Sequence, residues 1–178
     1  MEIETRRLIL REFRMDDWPA VFAYQSDPRY QRYYPITEWI PEQAQGFVQM
    51  FLDQQQENPR RKFQLAVVLK TNAELIGNCG IRMDTADAHQ ADIGYEFSPE
   101  HWGKGYATEG AERVLRFAFE KMGAKTIWAS AGKWNLGSNR VLEKLGMGYI
   151  GDNPQGYYFK GKPIATHEYE ISHEELAK

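Results

Sequence analysis

The sequence predicts an α/β (α+β) protein with one mixed sheet of about seven strands, flanked by about four helices. Strand patterns outnumber helix patterns, and their order is β, α, α, three β, α, β, α, β, β, which favours a mixed sheet over a fully parallel one. The chain has 178 residues, the length of one domain. We therefore expect a single domain spanning residues 1–178.

The first third of the chain contains one predicted strand and two predicted helices. Arg6–Phe13 alternates charged and apolar residues, as a half-buried strand does. Asp16–Asp27 predicts a helix in which Asp16 is the N-cap. The proline-containing stretch Ser26–Pro41 is expected to be a loop, and Pro41–Glu57 has a helical apolar pattern.

The middle of the chain contains three predicted strands and the longest amphipathic helix. Lys62–Lys70 and Glu74–Met83 are predicted to form a hairpin, followed by a third strand at His89–Phe97. Tyr106–Met122 is predicted to be a helix with one apolar face, and Gly123 is a suitable residue to end it.

The last third is predicted to contain one helix between strands. Lys125–Ala131 has a strand pattern, and Leu136–Gly146 predicts a short helix that ends at a glycine. Met147–Gly151 and Ala165–Ser172 are predicted to be the two final strands.

Composition excludes several classes of function. The net charge of −3 provides no basic field for nucleic acid. The only cysteine, Cys79, excludes an internal disulfide and a cysteine-based zinc site, and a buried structural thiol is favoured over a nucleophile. No run of about 18 apolar residues predicts a membrane span, so we expect a cytoplasmic protein. No metal is expected, because metal-ligand spacing is absent among the histidines His89, His101, His167 and His173, which are predicted to lie at the surface.

The stretch Gly103-Lys104-Gly105 lies between a predicted strand and the helix that begins at Tyr106. Free N–H groups and the helix dipole favour an anion there, and glycines allow a phosphate to approach the backbone. A plain strand-to-helix connection is the structural alternative. The spacing fits neither a P-loop nor a dinucleotide fingerprint, because neither the Ser/Thr after Lys104 nor the later acidic residue is present.

The same stretch resembles the acetyl-CoA-binding motif Q/R-x-x-G-x-G/A of the GNAT N-acetyltransferases. The match runs from Trp102 to Ala107, with Trp102 in place of Gln or Arg. The resemblance is closest to the branch of the ribosomal-protein N-terminal acetyltransferases RimJ and RimL, and it extends over nearly the whole chain. Further segments that carry it are Thr5–Glu12, Ile93–Tyr95 and Asn135–Met147; the last resembles N-x-x-S-x-x-V-L-E-K-x-G-F, with Met147 replacing Phe.

The resemblance implies the GNAT fold, with the sheet splayed between its fourth and fifth strands, His89–Phe97 and Lys125–Ala131. It implies acetyl-CoA as co-substrate and direct acetyl transfer to a primary amine. The pantetheine arm would pair with free backbone groups near Glu96, Phe97 and Ser98, and the pyrophosphate would bind the amides from Gly103 to Thr108. The implied cofactor-binding residues are thus Glu96, Phe97, Ser98, Trp102, Gly103, Lys104, Gly105, Tyr106, Ala107, Thr108, Asn135 and Ser138.

The catalytic residues follow the family pattern only in part. The position of the tyrosine that protonates the leaving thiolate in many relatives is Leu142 here, and Ser138 resembles the donor of the RimL-like pattern. Ser138 and Asn135 are equally suited to cap a helix. Glu96 is the candidate general base, with a salt bridge or solvated strand edge as its alternative. Tyr157 stands where some relatives carry a glutamate.

The acceptor is expected to bind near an aromatic cluster between the first two helices. In the family this region lines the acceptor side, so Tyr33, Tyr34 and Trp39 are candidate substrate-binding residues; core packing is the alternative for each. The acceptor is a protein N-terminal α-amine or a small amine. The alternative functions are a non-catalytic acyl-CoA-binding module and, less favoured, a nucleotide-binding enzyme. Homodimers are common in this branch, although the sequence shows no interface.

Overall fold

The computed structural model describes residues 1–34, 39–83, 89–159 and 162–176. Eight strands form one sheet in the order β1-β2-β3-β4-β5-β6-β8-β7. In chain order the strands are β1 Glu2–Glu4, β2 Leu8–Glu12, β3 Lys62–Leu69, β4 Leu75–Arg82, β5 Gln90–Phe97, β6 Thr126–Gly132, β7 Gly148–Phe159 and β8 Lys162–Ser172.

Six α-helices accompany the sheet in the described part of the chain: α1 Trp18–Gln25, α2 Pro28–Gln31, α3 Pro41–Gln55, α4 Tyr106–Phe117, α5 Leu136–Lys144 and α6 His173–Leu176. The four longer ones correspond to the four predicted helices, while α2 and α6 are single turns. A π-helical turn extends α4 to Met122, and Gly123 ends it with a left-handed φ of 76°. Within the described residues, no helix is both long and apolar enough to cross a membrane.

The sheet is mixed, as predicted, and it opens between β5 and β6. Every neighbouring pair is antiparallel except β5 and β6, which run parallel. These two strands pair only where Gln90–Asp92 meets Thr126–Trp128. Beyond this point β5 continues to Phe97 and β6 to Gly132, but the two strands no longer pair with each other. They therefore separate and leave a cleft between their carboxyl ends.

The core consists of one cluster on each side of the sheet. The larger cluster includes Leu115 and Val114 of α4, and the smaller one includes Phe51 and Val48 of α3. Each such fully buried aliphatic or aromatic side chain stabilises the fold by about 1.5–3 kcal/mol. Cys79 is completely buried in the larger cluster, where burial raises the pKa of its thiol, which supports the predicted structural role.

The ends of the chain differ most from the predictions. Strand β1 was missed, because three residues are too few to show an alternating pattern. Strand β7 continues to Phe159, well beyond the predicted end at Gly151. It can do so because an irregularity between Asn153 and Tyr157 accommodates a proline and a glycine within the strand. A β-carbon at Gly156 would collide with the Thr166 side chain on the neighbouring strand, so glycine is required there.

The first helix begins two residues later than predicted, and its start depends on Asp17 rather than Asp16. Helix α1 starts at Trp18, after a 3₁₀ turn. The Asp17 carboxylate accepts a hydrogen bond from the Arg14 amide at 2.8 Å and pairs with the Arg11 guanidinium at 2.7 Å. Asp17 is therefore the residue that fixes this turn.

Candidate active site

Two adjoining cavities, of about 240 and 430 Å³, occupy the opening between β5 and β6. The larger one extends along the turn before α4 and along α5, and the smaller one lies against β6 and Tyr157. Their walls share five residues, Tyr33, Tyr34, Tyr95, Asn135 and Ser138. The cavities therefore form one continuous cleft, and the shared residues mark the point where they meet.

The turn before α4 is shaped by two left-handed glycines. Gly103 has a φ of 75°, and Gly105, the N-cap of α4, has a φ of 81°. A β-carbon would find no heavy atom within 4 Å at Gly103 and only the Arg7 guanidinium at 3.4 Å at Gly105. The glycines are thus required by backbone conformation, at a helix start that no side chain caps. Such a start leaves N–H groups free to bind an anion.

Arg7 clamps this turn from the other side, a role that the sequence interpretation missed. Its Nε lies 2.6 Å from Glu109 Oε2, and its Nη1 donates to the Lys104 carbonyl at 3.0 Å. The guanidinium also stacks over the Tyr106 ring at 4.4 Å. Burial alone would raise the pKa of Glu109, but hydrogen bonds from Thr5 and Arg7 lower it below its ordinary value.

Trp102 connects the turn to the end of β5. Its indole N–H donates to the Phe97 carbonyl at 2.7 Å, and the Ser98 amide donates to the Ile76 carbonyl at 2.8 Å. The prediction of free backbone groups at Phe97 and Ser98 is therefore wrong for these two atoms, because Ser98 continues the pairing with β4 and the turn at Pro99–His101 brings Trp102 back to Phe97. Of the predicted stretch from Trp102 to Thr108, every residue borders the cleft except Lys104.

The start of α5 brings Asn135 and Ser138 to the meeting point of the cavities. The Asn135 side chain caps the helix by accepting from the Ser138 amide at 3.2 Å, as its structural alternative predicted. The Ser138 hydroxyl is 3.1 Å from the Tyr95 hydroxyl, which also donates to the Ser138 carbonyl at 3.1 Å. Burial raises the pKa of Tyr95, so this phenol stays neutral and retains its proton. Leu142 is buried against the smaller cavity.

The Glu96 carboxylate faces α1 and α2 and accepts four hydrogen bonds. Its Oε1 accepts from the Tyr24 hydroxyl at 2.7 Å, the Asn78 amide at 2.7 Å and the Gln25 amide at 2.8 Å. The Tyr30 hydroxyl donates to Oε2. Burial raises the pKa of Glu96 above its ordinary value, and the four donors oppose that rise. All four partners donate, an arrangement that suits a carboxylate.

Asp92 projects from the same face of β5 but has a structural partner. Arg82 Nε donates to Asp92 Oδ2 at 2.8 Å, and Arg82 Nη1 donates to Gln64 at 3.2 Å. Asp92 is thus held in a salt bridge with Arg82 and does not face the cleft as a free carboxylate. Glu96 is the carboxylate of β5 that borders the larger cavity.

The predicted acceptor residues separate into two groups. Tyr33 and Tyr34 border both cavities, whereas Trp39 is not among the described residues that line them. The Tyr33 ring lies 5.3 Å from Trp134 and 5.8 Å from Trp102, so aromatic rings meet across the cleft. Trp134 also hydrogen-bonds to Tyr157. Tyr34 stacks on Tyr30, with ring centroids 4.4 Å apart.

Three basic side chains that were not singled out as site residues also border the larger cavity. Arg140 and Lys144 lie one helical turn apart on α5, exposed at the cleft wall. His101 was predicted to be at the surface, but its side chain is only 10% exposed and pairs with Glu74 at 3.0 Å. The spacing of Arg140 and Lys144 at i and i+4 is the one sequence signal that could have indicated a basic helix face. Within the described chain, no three His, Cys, Asp or Glu side chains gather in a way that could hold a metal ion.

The cleft between two diverging strands, with an uncapped helix start at one end, has the shape and the free N–H groups to hold a long anionic ligand such as an acyl-CoA. The family description "Acetyltransferase (GNAT) domain" matches residues 7–148, and the chain belongs to this family. It is therefore an N-acetyltransferase, and acetyl-CoA is the co-substrate that this fold uses.

The similarity to known acetyltransferases extends over almost the full chain. The "Uncharacterized N-acetyltransferase YoaA" of Bacillus subtilis (strain 168) is 35% identical over 170 residues, which cover 95% of each chain. The crystal structure of a GNAT-family acetyltransferase from Bacillus anthracis is 29% identical, with a TM-score of 0.85 over 98% of this chain and 100% of the other. Mycobacterium smegmatis RimJ, in complex with CoA-disulfide, has the same fold at 22% identity, with a TM-score of 0.83 over 96% of this chain and 84% of the other.

Proposed function

We propose that the enzyme transfers an acetyl group from acetyl-CoA directly to a primary amine, either a protein N-terminal α-amine or a small amine. The observation that carries this proposal is the continuous cleft, which leads from the anion-binding turn to an aromatic cavity past the Tyr95–Ser138 pair. Direct transfer is favoured because Cys79, the only cysteine, is buried in the core and borders neither cavity.

In this proposal the pyrophosphate of CoA binds the amides from Gly103 to Thr108. The positive end of the α4 dipole and the left-handed glycines support this placement. Arg140 and Lys144 add positive charge on the opposite wall, and neither forms an ion pair with a described residue. The exposed Lys104 would approach the phosphates only from the solvent side. The pantetheine arm would run along β5 beside Glu96 towards Asn135.

The chemistry requires a neutral amine and a protonated leaving group. The amine nitrogen attacks the thioester carbon, the C–S bond breaks, and the amine proton goes to Glu96. Ser138 gives a proton to the departing thiolate while it is hydrogen-bonded to the Tyr95 hydroxyl. Glu96 then loses its proton to water and Ser138 regains one from water, so both residues return to their starting states. At pH 7.5 roughly a quarter of an α-amine is neutral, against about 0.1% of a lysine side chain, so an α-amine needs less help from a base.

The acceptor would enter the smaller cavity beside Tyr33 and Tyr34. Its volume of about 240 Å³ lies below the range of roughly 300–1,000 Å³ that is usual for whole small-molecule ligands. The cavity therefore suits the amine-bearing end of a molecule, such as the first residue of a protein. The fold shared with RimJ makes an N-terminal α-amine the first acceptor class to test.

A second candidate function is a non-catalytic acyl-CoA-binding module. It is favoured by Leu142, which occupies the position of the tyrosine donor, and by Tyr157, which stands where relatives carry a glutamate. The Tyr95–Ser138 contact argues against it, because it supplies a hydroxyl pair at the position where a leaving thiolate would form.

The deciding experiment is an acceptor screen. The protein is incubated with acetyl-CoA and a panel of peptides with different N-terminal residues and of small amines; mass spectrometry detects the acetylated product and a thiol reagent detects free CoA. Acetylation together with thiol release supports the proposal. Omission of the amine is the control for thiol release, and CoA in place of acetyl-CoA is the control for the product mass. CoA binding without turnover of any amine supports the module, and failure to bind CoA contradicts both.

Two further predictions accompany the function. We propose that the protein works in the cytoplasm, which agrees with a single unpaired, buried cysteine. We also propose a homodimer, as in the related branch. Light scattering after size-exclusion chromatography tests the latter, because a dimer has twice the mass of the chain.

A further inference from the structure

The Glu96 carboxylate and the smaller cavity are separated by two tyrosines. Glu96 borders the larger cavity and not the smaller one, whereas Tyr34 borders both. Tyr30 lies between them, since it is 2% exposed, donates to Glu96 Oε2 and stacks against Tyr34. An amine held in the smaller cavity would therefore reach Tyr34 before it reached the carboxylate.

The two phenol rings are held in nearly parallel planes. Their interplanar angle is 17° and their centroids are 4.4 Å apart, and the two side chains also share a hydrogen bond. Burial raises the pKa of Tyr34 and the charge of Glu96 raises it further, while the hydrogen bond between Tyr34 and Tyr30 works in the opposite direction. Burial likewise raises the pKa of Tyr30. Both phenols are therefore neutral, as a proton relay requires.

The groups that face Glu96 fix the direction of such a relay. Helix α1 contributes Tyr24 and Gln25, α2 contributes Tyr30, and β4 contributes Asn78, and each of them donates to the carboxylate. The neighbouring carboxylate on this face, Asp92, is paired with Arg82. Of the two hydroxyls that donate to Glu96, Tyr30 borders the cleft and Tyr24 does not.

We propose that Tyr34 and Tyr30 relay the proton of the acceptor amine to Glu96. As the N–C bond forms, the amine proton passes to the Tyr34 oxygen, the Tyr34 proton passes to Tyr30, and the Tyr30 proton passes to Glu96 Oε2. Both tyrosines end neutral, and Glu96 ends as a carboxylic acid. The same path run backwards returns the proton to water once the product has left.

This proposal rests on the proposed function, since it assigns the route by which the amine of that reaction is deprotonated. Tyr34 would be a catalytic residue, because it touches the amine, and Tyr30 a positioning residue that acts through it. General acid–base catalysis contributes roughly 10²–10⁴-fold to rates, so losing the relay should cost a substantial part of that factor.

The test is a cycle of the variants Tyr34→Phe, Glu96→Gln and the double variant, assayed with an acceptor that the wild type acetylates. Phenylalanine keeps the stacked ring and removes only the hydroxyl. We expect each single variant to lower kcat by about 30-fold or more with an unchanged Kd for CoA, and the double variant to be no worse than the poorer single one. The wild-type kcat should fall as pH drops through the raised pKa of Glu96, and this acid limb should be absent in Glu96→Gln.

Tyr24→Phe is the matched comparison, since it removes a donor to Glu96 that does not border the cleft. It should shift the acid limb of kcat to higher pH, because the carboxylate loses a stabilising hydrogen bond, and yet retain that limb, unlike Glu96→Gln. Full kcat in Tyr34→Phe, or multiplicative losses in the double variant, would overturn the relay while the wild-type activity stands. A wild type that binds CoA but acetylates no amine would overturn the proposed function and the relay together.

Discussion

The Trp102 indole donates a 2.7 Å hydrogen bond to the Phe97 carbonyl, at the point where β5 ends beside the cleft. The family motif carries Gln or Arg at this position, so the tryptophan adds a tether that the motif does not contain. The indole ties the glycine turn to the strand along which the pantetheine arm is proposed to run. Trp102, which is 37% exposed, therefore ties the turn to β5, while Arg7 holds the turn from the other side.

Replacing Trp102 by Phe should loosen this tether while keeping an aromatic ring. A hydrogen bond contributes about 0.5–1.5 kcal/mol net to stability, so its loss should lower the free energy of unfolding by about 1 kcal/mol. The Kd for CoA, measured by calorimetry, should rise by about 5- to 10-fold because the turn is less well positioned. Tighter CoA binding by the variant would contradict this expectation and show that the indole competes with the pantetheine arm for the carbonyl.

Replacing Gly105 by Val should disrupt the anion-binding turn. A β-branched residue is strained at a φ of 81°, and its side chain would project towards the Arg7 guanidinium. We expect CoA affinity to fall by at least 10-fold in a variant whose circular dichroism remains native. Gly46→Ala is the matched control, since a β-carbon there meets nothing within 4 Å and favours helix α3. Unchanged CoA affinity in folded Gly105→Val would refute the placement of the pyrophosphate.

Elements with strong local patterns were predicted well from the sequence. Helix α4 begins at the predicted Tyr106, and strands β3 to β6 start or end within one residue of their predicted bounds. The glycine turn was located correctly because left-handed glycines and a helix start are local features. Sheet pairing over long separations was accessible only through the family resemblance.

The contacts that shape the site could not be predicted from local sequence patterns. Tyr95 and Ser138 are 43 residues apart, and Arg7 and Lys104 are 97 residues apart, so no window of sequence brings either pair together. The sequence marked Glu96 as the candidate base but not its four donors, which come from three different elements. These donors reach Glu96 only in the folded chain, where α1 and α2 lie beside β4 and β5.

Replacing Arg7 by Ala should weaken both the fold and the turn. Arg7 is 34% exposed at its side chain, so its hydrogen bonds to Glu109 should contribute about 1–2 kcal/mol to the free energy of unfolding. The pKa of Glu109 is lowered in the folded state, so this contribution is complete above its ordinary value of 4.5 and is lost as pH falls through the folded value. Chemical denaturation should therefore show a difference in the free energy of unfolding between wild type and variant at pH 7, and this difference should become smaller below pH 4.5.

The exposed neighbour Arg6 provides the control for this measurement. Arg6→Ala should leave the free energy of unfolding within about 0.5 kcal/mol of the wild type at both pH values. If the loss of unfolding free energy in Arg7→Ala stays constant from pH 7 to pH 3, the stabilisation does not come from the ion pair with ionised Glu109.

Replacing Ser138 by Ala, or Tyr95 by Phe, should slow the release of the thiol without weakening CoA binding. If the two hydroxyls act as one proton-donating unit, each variant should lower kcat by about 10- to 100-fold, and the double variant should be no slower than the Ser138 variant. Asn135 still caps α5 in both, so thermal unfolding should change little. Ser26→Ala, which removes a hydroxyl outside the cleft, is the control and should retain wild-type kcat. A wild-type kcat in Ser138→Ala would show that Ser138 serves only the helix start, and independent losses would show that Tyr95 acts on another step.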